Sequence, residues 1–355
     1  MHKPLIQEAL EALWGVGDKW HHESIGDGLI NYSYCATTQF NERVFLQQIN
    51  GAVFSNPDRI VSNLQLIYSA LQERNAAHLI ARPIPFKSGA WLFCDTNGQF
   101  WRAADYIPSK TIHNTIDLSV LRLAVQGFAS FTTMLSELDT GKLYPTLDDF
   151  HDLSLRYNQF RQALHEGDQS RIAETGWLIE ALEKRTGYVR LYRQLVEAPA
   201  DFKKRVMHHD AKLSNILFDS TGQQVMAIAD LDTTMPGYFF SDLGDMVRSM
   251  SASADENTEQ PKKVHVLPAA YETIFSSYRD TIKEQLTVAE NSLLHAAGLL
   301  MIYMQSLRFL TDFLQGDRYY QTKRQGQNKD RAVHQYTLLC SLEDLLQKKY
   351  QFHID

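Results

Sequence analysis

No stretch restricts the fold more than the one from Arg205 to Arg248, RVMHHDAKLSNILFDSTGQQVMAIADLDTTMPGYFFSDLGDMVR. Two short apolar runs, Ile216-Leu217-Phe218 and Val225-Met226-Ala227-Ile228-Ala229, lie on either side of a Thr221-Gly222 turn. That order predicts a hairpin of two short strands. Asp210 and Asn215 then sit on the loop entering the first strand, and Asp230 stands at the exit of the second. A tight hairpin brings its ends together, so three oxygen-bearing side chains are expected to converge.

Such convergence suits a hard cation. Mg²⁺ takes oxygen ligands and keeps part of its shell for water and substrate phosphates, and Asn215 and Asp230 offer such oxygens. Asp210 is left as a base able to accept a hydroxyl proton and aim the oxygen at phosphorus. Phosphoryl transfer needs little else locally beyond positioning, charge neutralisation and a group that orients the nucleophile. Acidic loops beside strands are commonly solvated turns, and one Asp alone would be read so. The pattern His208-x-Asp210, then Asn215, then an apolar strand ending in Asp230, is more specific.

These residues carry a resemblance. The form His-x-Asp-x4-Asn with a later Asp after a strand resembles the catalytic core of the aminoglycoside phosphotransferase and choline kinase superfamily, relatives of the protein kinases. A narrower likeness is to the N-acetylhexosamine 1-kinases. It rests on HHDAKLSNILFD, IADLDTTMPG and DLGDMVRS, with INGAVFSNPDRIVSNL and RFLTDFLQGDRYY outside the core. The resemblance implies an α+β, bilobal protein-kinase-like fold. A β-rich nucleotide-binding lobe with one long helix would span 1–104, a hinge 105–110, and a mainly helical lobe with the catalytic loop and substrate site 111–355. It also implies ATP as co-substrate, Mg²⁺, and a small sugar as acceptor.

Bulk properties agree with that class. The net charge of −7 argues against a general nucleic-acid binder, which would show a basic field. Three widely spaced cysteines suggest neither a disulfide framework nor a zinc site, so a reducing cytoplasm is the expected home. The first residues, MHKPLIQEALEALWGVG, read as an amphipathic helix with Leu5, Ile6, Ala9, Leu10 and Leu13 on one face, not as a signal peptide. No run has the apolar length of a membrane span.

Within 1–104, Gly26 and Gly28 flank an Asp in a hairpin turn, where glycine lets backbone N–H groups approach a phosphate. An ordinary turn is the plain alternative; the kinase-like frame makes it a phosphate-covering loop, and the resemblance of GDGLIN to the corresponding hexosamine-kinase loop implies that Asn31 lies near nucleotide or sugar. The strand Arg43–Asn50 should carry a phosphate-binding lysine, yet Gln47 and Gln48 stand there. A neutral amide supplies no charge, so a cation must come from Mg²⁺ or from an arginine elsewhere. Asn56-Pro57-Asp58 predicts a capped helix running to about Arg74, with Ile60, Leu64, Ile67 and Leu71 facing the sheet. Strands are expected near His78–Pro83, Trp91–Cys94 and Gln99–Tyr106, the last two joined by an Asn97-Gly98 turn. Tyr106 and Ile107 fall at the hinge, where backbone groups would meet an adenine edge.

Beyond the hinge, helices are expected at Leu118–Leu138, 153–165, Arg171–Lys184, Val189–Glu197, Leu293–Leu314 and Arg331–Lys349. His151-Asp152 reads as a helix-start cap in preference to a catalytic pair. His208 is assigned to holding the catalytic loop, and Lys212 either neutralises a transferring phosphate or points into water. Asp232, two residues after Asp230, would face the same way in an extended segment and serve a second metal or the sugar. Asp242 and Asp245 favour a helix N-terminus; by resemblance Asp242 braces the loop, with Arg248 a partner for one of the pair. Arg308 interrupts an apolar helix; it is either a snorkelling surface residue or, as the resemblance favours, a sugar ligand.

A metal-dependent small-molecule kinase thus ranks first, with an N-acetylhexosamine phosphorylated at its anomeric hydroxyl as the favoured reaction. The alternatives are a kinase for an aminoglycoside or choline, a non-catalytic kinase-fold binding protein suggested by the missing lysine, and a metallohydrolase, which lacks ligands. The sequence does not fix the oligomeric state.

Overall fold

The computed structural model describes residues 6–15, 19–26 and 30–354. The first elements are α1 (Ile6–Trp14), β1 (Trp20–Ser24), β2 (Tyr32–Thr38), β3 (Arg43–Ile49) and α2 (Pro57–Glu73). Short strands follow: β4 (Pro83–Ile84), β5 (Phe93–Cys94), β6 (Phe100–Asp105) and β7 (Lys110–Thr111). Then come α3 (Leu118–Met134), α4 (Leu153–Glu166), α5 (Gln169–Glu174), α6 (Gly176–Glu183) and α7 (Gly187–Glu197). After β8 (Arg205–Met207) the chain makes β9 (Ile216–Phe218) and β10 (Val225–Ile228). It ends in α8 (Phe240–Met250), α9 (Pro268–Ile282), α10 (Val288–Ser292), α11 (Ala296–Leu314) and α12 (Gln327–Tyr350). The fold is α+β, with antiparallel strands towards the N-terminus and helices towards the C-terminus.

Two compact units result. One gathers Met1–Ile112, Met134–Asp148 and Ser214–Pro236; the other gathers His113–Thr133, Asp149–Leu213 and Gly237–Asp355.

In the first unit the strands order as β1-β2-β3-β6-β4, with β5 also paired to β6. Side chains alternate across the sheet. Val44 and Leu46 of β3 and Trp101 and Ala103 of β6 pack with Ala9, Leu10 and Leu13 of α1. On the opposite face Ile49 packs with Phe54 and Ile60, Ile60 being on α2. Gln47 and Arg102 share that second face and are directly paired across β3 and β6. The expected hairpin is present: β9 and β10 pair antiparallel, Ile216 opposite Ile228, with a bulge between Val225 and Ala227.

Three local expectations need correction. The strand proposed for His78–Pro83 is a 3₁₀ turn at Ala77–Leu79, and only Pro83–Ile84 pair with the sheet. A short apolar run cannot by its period separate strand from turn. Asn56 stands at the N-cap of α2, but its side chain makes no capping bond and its amide instead donates to Ser55 Oγ at 3.2 Å. Finally, α12 begins at Gln327, ahead of the expected Arg331.

In the second unit α11 is buried along nearly its whole length. Helices α4, α8 and α12 pack against it. Gly244 on α8 permits a close approach: a Cβ there would lie 2.5 Å from Ala297 O and 2.7 Å from Met301 Cβ on α11.

Candidate active site

In the second unit the loop after β8 is held from below by a carboxylate. Asp242, in the first turn of α8 and 1% exposed, accepts N–H bonds from His208 at 2.9 Å and His209 at 2.8 Å. Burial pushes its carboxyl up to about 6, although the neighbouring His208 and those two N–H bonds work against the rise. The fully buried His208 ring packs edge-on against Phe128 at 5.1 Å and accepts the Asp210 N–H through Nδ1 at 3.2 Å. His208 and Asp242 thus both contact the backbone of this loop. His209 takes a left-handed backbone, φ 65°, and its Nδ1 meets Met207 O at 3.1 Å. A Cβ at Gly237 would collide with the His209 ring, so this position has to be glycine. Asp210 itself is partly exposed and forms an ion pair with Lys212, Nζ to Oδ2 2.7 Å. The Lys212 ammonium thus faces the carboxylate at the centre of the loop. Asp245, buried beside Arg248 at 2.8 Å, has its carboxyl raised by burial.

Asn215 and Asp230 lie in the first unit, at the two ends of the hairpin. Ala229 N donates to Asn215 O at 2.8 Å, which ties those ends together. Asp230 adopts a left-handed backbone, φ 57° and ψ 54°, an uncommon state that Asp tolerates better than most residues. It turns the chain directly into a 3₁₀ turn, Leu231–Thr233. The extended geometry expected from Asp230 to Asp232 is therefore absent, and strand alternation does not put the two carboxylates on one face. An amide oxygen and a carboxylate on joined chain ends are hard donors of the kind Mg²⁺ takes.

Asp232 turns instead into the sheet. Its carboxylate, 2% exposed, accepts from Asn31 Nδ2 at 2.5 Å and forms an ion pair with Arg102. Gln47 Oε1 accepts both Arg102 Nε at 3.0 Å and Nη2 at 2.5 Å, while Gln47 Nε2 donates to Ser33 Oγ at 3.0 Å. Asn31 Oδ1 in turn accepts from Asn50 N at 2.8 Å. Asn31, Gln47, Arg102 and Asp232 thus make one buried polar network on the α2 side of the sheet. Gly26 has a left-handed backbone, φ 73°, whereas Gly28 lies outside the described residues. At the end of β6, the Arg43 guanidinium lies over the Tyr106 ring at 4.9 Å, and Ile107 O accepts from Ser109 Oγ at 3.0 Å.

Arg308, in the second unit, is no snorkelling arginine. Its guanidinium sits 5.1 Å from the Phe150 ring centre, 5.6 Å from Tyr320 and 6.0 Å from Tyr319. The loop carrying the two tyrosines is fastened by Asp312, whose carboxylate accepts from the backbone of Arg318, Tyr319 and Tyr320 at 2.9, 2.8 and 2.9 Å. Phe150 also stacks on His151, whose imidazole burial holds neutral, well below the usual range. The cap reading of Asp152 holds: its side chain accepts from Leu155 N at 2.9 Å.

Sequence reasoning missed Arg102 and Asp312. Arg102 sits in an apolar strand, and the only available signal was the demand for a cation created by Gln47. Asp312 reads as one more polar position on α11.

An HxD loop braced by a helix carboxylate, followed by a hairpin ending in Asp, in an α+β chain of this order, defines a phosphotransferase with a kinase-like fold. The chain belongs to the phosphotransferase enzyme family, whose model matches residues 22–274. Its fold is similar to an aminoglycoside phosphotransferase of Alicyclobacillus acidocaldarius, with 14% identity and TM-score 0.63 over 99% of this chain and 98% of that one. A microcompartment-associated aminopropanol kinase has 16% identity and TM-score 0.63, covering 98% of this chain and 97% of that one. A choline kinase of Cryptosporidium parvum has 13% identity and TM-score 0.59, covering 98% and 96%. Among the described residues no helix is long and apolar enough to cross a membrane.

Proposed function

We propose that the chain transfers the γ-phosphoryl group of ATP to the anomeric hydroxyl of an N-acetylhexosamine. The observation that carries the kinase chemistry is the Asp210 loop, pinned by Asp242 through two backbone N–H groups and by His208 through a third. A loop fixed in that way presents one carboxylate in a set direction, as positioning of a nucleophile requires. Asp210 accepts the acceptor's hydroxyl proton. An anomeric hydroxyl is more acidic than an ordinary alcohol, which matches a carboxylate base. Lys212 pairs with Asp210 and offers charge to the phosphoryl group in flight. Asn215 and Asp230 would hold Mg²⁺, which when bound neutralises charge on the phosphates. The Tyr106–Ile107 segment takes the adenine edge in this reading.

The choice of a neutral sugar over a cationic acceptor rests on Arg308. The faces of Phe150, Tyr319 and Tyr320 that could cage a quaternary ammonium already carry its guanidinium. Arg156 lies close enough to Arg308 for the two guanidinium groups to repel each other, so a second cation stands beside the first. Choline or a polycationic aminoglycoside would be repelled there, whereas sugar hydroxyls can accept from an arginine.

Nucleotide turnover with Mg²⁺ across amino sugars, neutral hexoses, choline and aminoglycosides tests the proposal, run beside Asp210→Asn. The expected result is turnover on N-acetylhexosamines, none on their methyl glycosides, whose anomeric oxygen is blocked, and a loss of at least about 100-fold in the variant. Turnover on a methyl glycoside, or only on another acceptor class, rejects the anomeric assignment.

A further inference from the structure

The strand position that should bear a phosphate-binding cation is Gln47, and the charge it lacks is one strand away. Arg102 is the direct cross-strand partner of Gln47 in the β3–β6 register, so the two side chains leave the same face of the sheet side by side. Gln47 Oε1 accepts from both Nε and Nη2 of Arg102. A neutral acceptor orients the guanidinium without cancelling its charge. A carboxylate at 47 would have consumed it, and a second cation there would have repelled it. Ser33 completes the row by accepting from Gln47 Nε2, which fixes the amide so that its oxygen faces Arg102.

The guanidinium is not saturated. Arg102 is 9% exposed, and its Nη1 is buried with no hydrogen-bond partner among the described residues. A buried donor without a partner is costly, and such a group in a folded protein calls for an explanation. A strut meant only to tie the segment after Asp230 to the sheet would need the Nε and Nη2 side, which Gln47 and Asp232 already fill. Nη1 is the donor left over. The counter-ion is also shared: Asp232 divides its carboxylate between Arg102 and Asn31. Asp232 lies two residues beyond Asp230, in the turn that leaves the hairpin.

We infer that Arg102 is the phosphate-binding cation of the nucleotide site, supplying the charge absent at Gln47, with Asp232 as the counter-ion that holds it until a phosphate engages Nη1. The inference rests on the proposal above that a nucleotide is the phosphoryl donor. The roles of the two strands are exchanged relative to the expected arrangement: the amide stands on β3 and the cation on β6. An arginine in this position also presents a planar fork, which suits a phosphate better than a single ammonium does.

Equilibrium binding of adenosine, AMP and ADP, without metal, tests this. Wild type, Arg102→Gln, and the exchange variant Gln47→Lys with Arg102→Gln are compared, each checked by thermal melting. The expected result is that wild type binds ADP more tightly than adenosine. Arg102→Gln weakens ADP about 10- to 100-fold while leaving adenosine unchanged. The exchange variant recovers most of the ADP increment. Should Arg102→Gln fail to fold, Arg102→Lys decides: it keeps the charge and loses the Nη1 donor, and the ADP-over-adenosine ratio falls about tenfold. An ADP-over-adenosine ratio that Arg102→Gln, or in its place Arg102→Lys, leaves at the wild-type value overturns the inference and leaves the nucleotide reading standing. A wild type that binds neither adenosine nor ADP overturns both.

Discussion

Asp242 shows how one buried carboxylate serves a loop it does not belong to. Its two oxygens receive the N–H groups of consecutive residues, His208 and His209, just before Asp210. Replacing it with Asn sets an NH₂ against one of those donors. The expected cost is about 1–3 kcal/mol of stability, with a fall in kcat larger than any change in nucleotide affinity. A pH signature separates this from generic damage. The folded carboxyl sits near 6, above its unfolded value near 4, so the native state binds the proton more readily. The stabilisation linked to that proton is full below about pH 4 and is lost as pH rises through 6. The stability gap between wild type and Asp242→Asn should therefore be larger at pH 4.5 than at pH 7.5 in urea melts. An equal gap would mean the carboxyl titrates normally.

At the scale of elements, the signals that survived were those with both a period and a punctuation mark. The β9–β10 hairpin carried two apolar runs and a Thr-Gly turn, and α11 a long apolar stripe. The segment around the 3₁₀ turn at Ala77–Leu79 has only an apolar run, which does not distinguish a turn from a strand. The turn after Asp230 hid a left-handed residue that no hydrophobic pattern encodes. The junction between α11 and α12 was equally opaque, because much of its order comes from Asp312 on α11, outside the loop itself. Asp312 accepts three backbone N–H groups and Asn328 Nδ2 at 2.9 Å while 3% exposed. Asp312→Ala strands those donors and frees the loop bearing Tyr319 and Tyr320, which flank Arg308. The acceptor KM should rise at least about tenfold, with adenosine and ADP affinity unchanged and stability lower by about 2–4 kcal/mol. Unchanged acceptor KM would remove the loop from the acceptor site.

For the whole molecule, the family was readable because phosphoryl transfer asks for particular residue types at fixed spacing, whereas what holds the scaffold together was not. The second unit contains a buried ion pair that joins segments far apart in sequence. Arg205, at the start of β8, meets Glu290 on α10 through Nη1–Oε1 and Nη2–Oε2, both 2.7 Å, with side chains 7% and 0% exposed. Glu290 also accepts from Lys203 N and Thr287 N, the latter closing a capping box. Arg205 and these N–H bonds hold its carboxyl below the usual range despite burial. Because β8 leads straight into the Asp210 loop, the pair anchors the strand from which that loop departs. Arg205→Met leaves Glu290 buried without its counter-ion, and the expected loss is about 3–5 kcal/mol. Glu290→Gln alone should cost comparably, because it strands the guanidinium. The double variant should be less destabilised than the sum of the two, since neither charge then remains unpaired. Chemical denaturation of the four proteins gives the coupling energy directly. Simple additivity would mean that the fold does not depend on the pairing, and that β8 is held by its apolar neighbours alone.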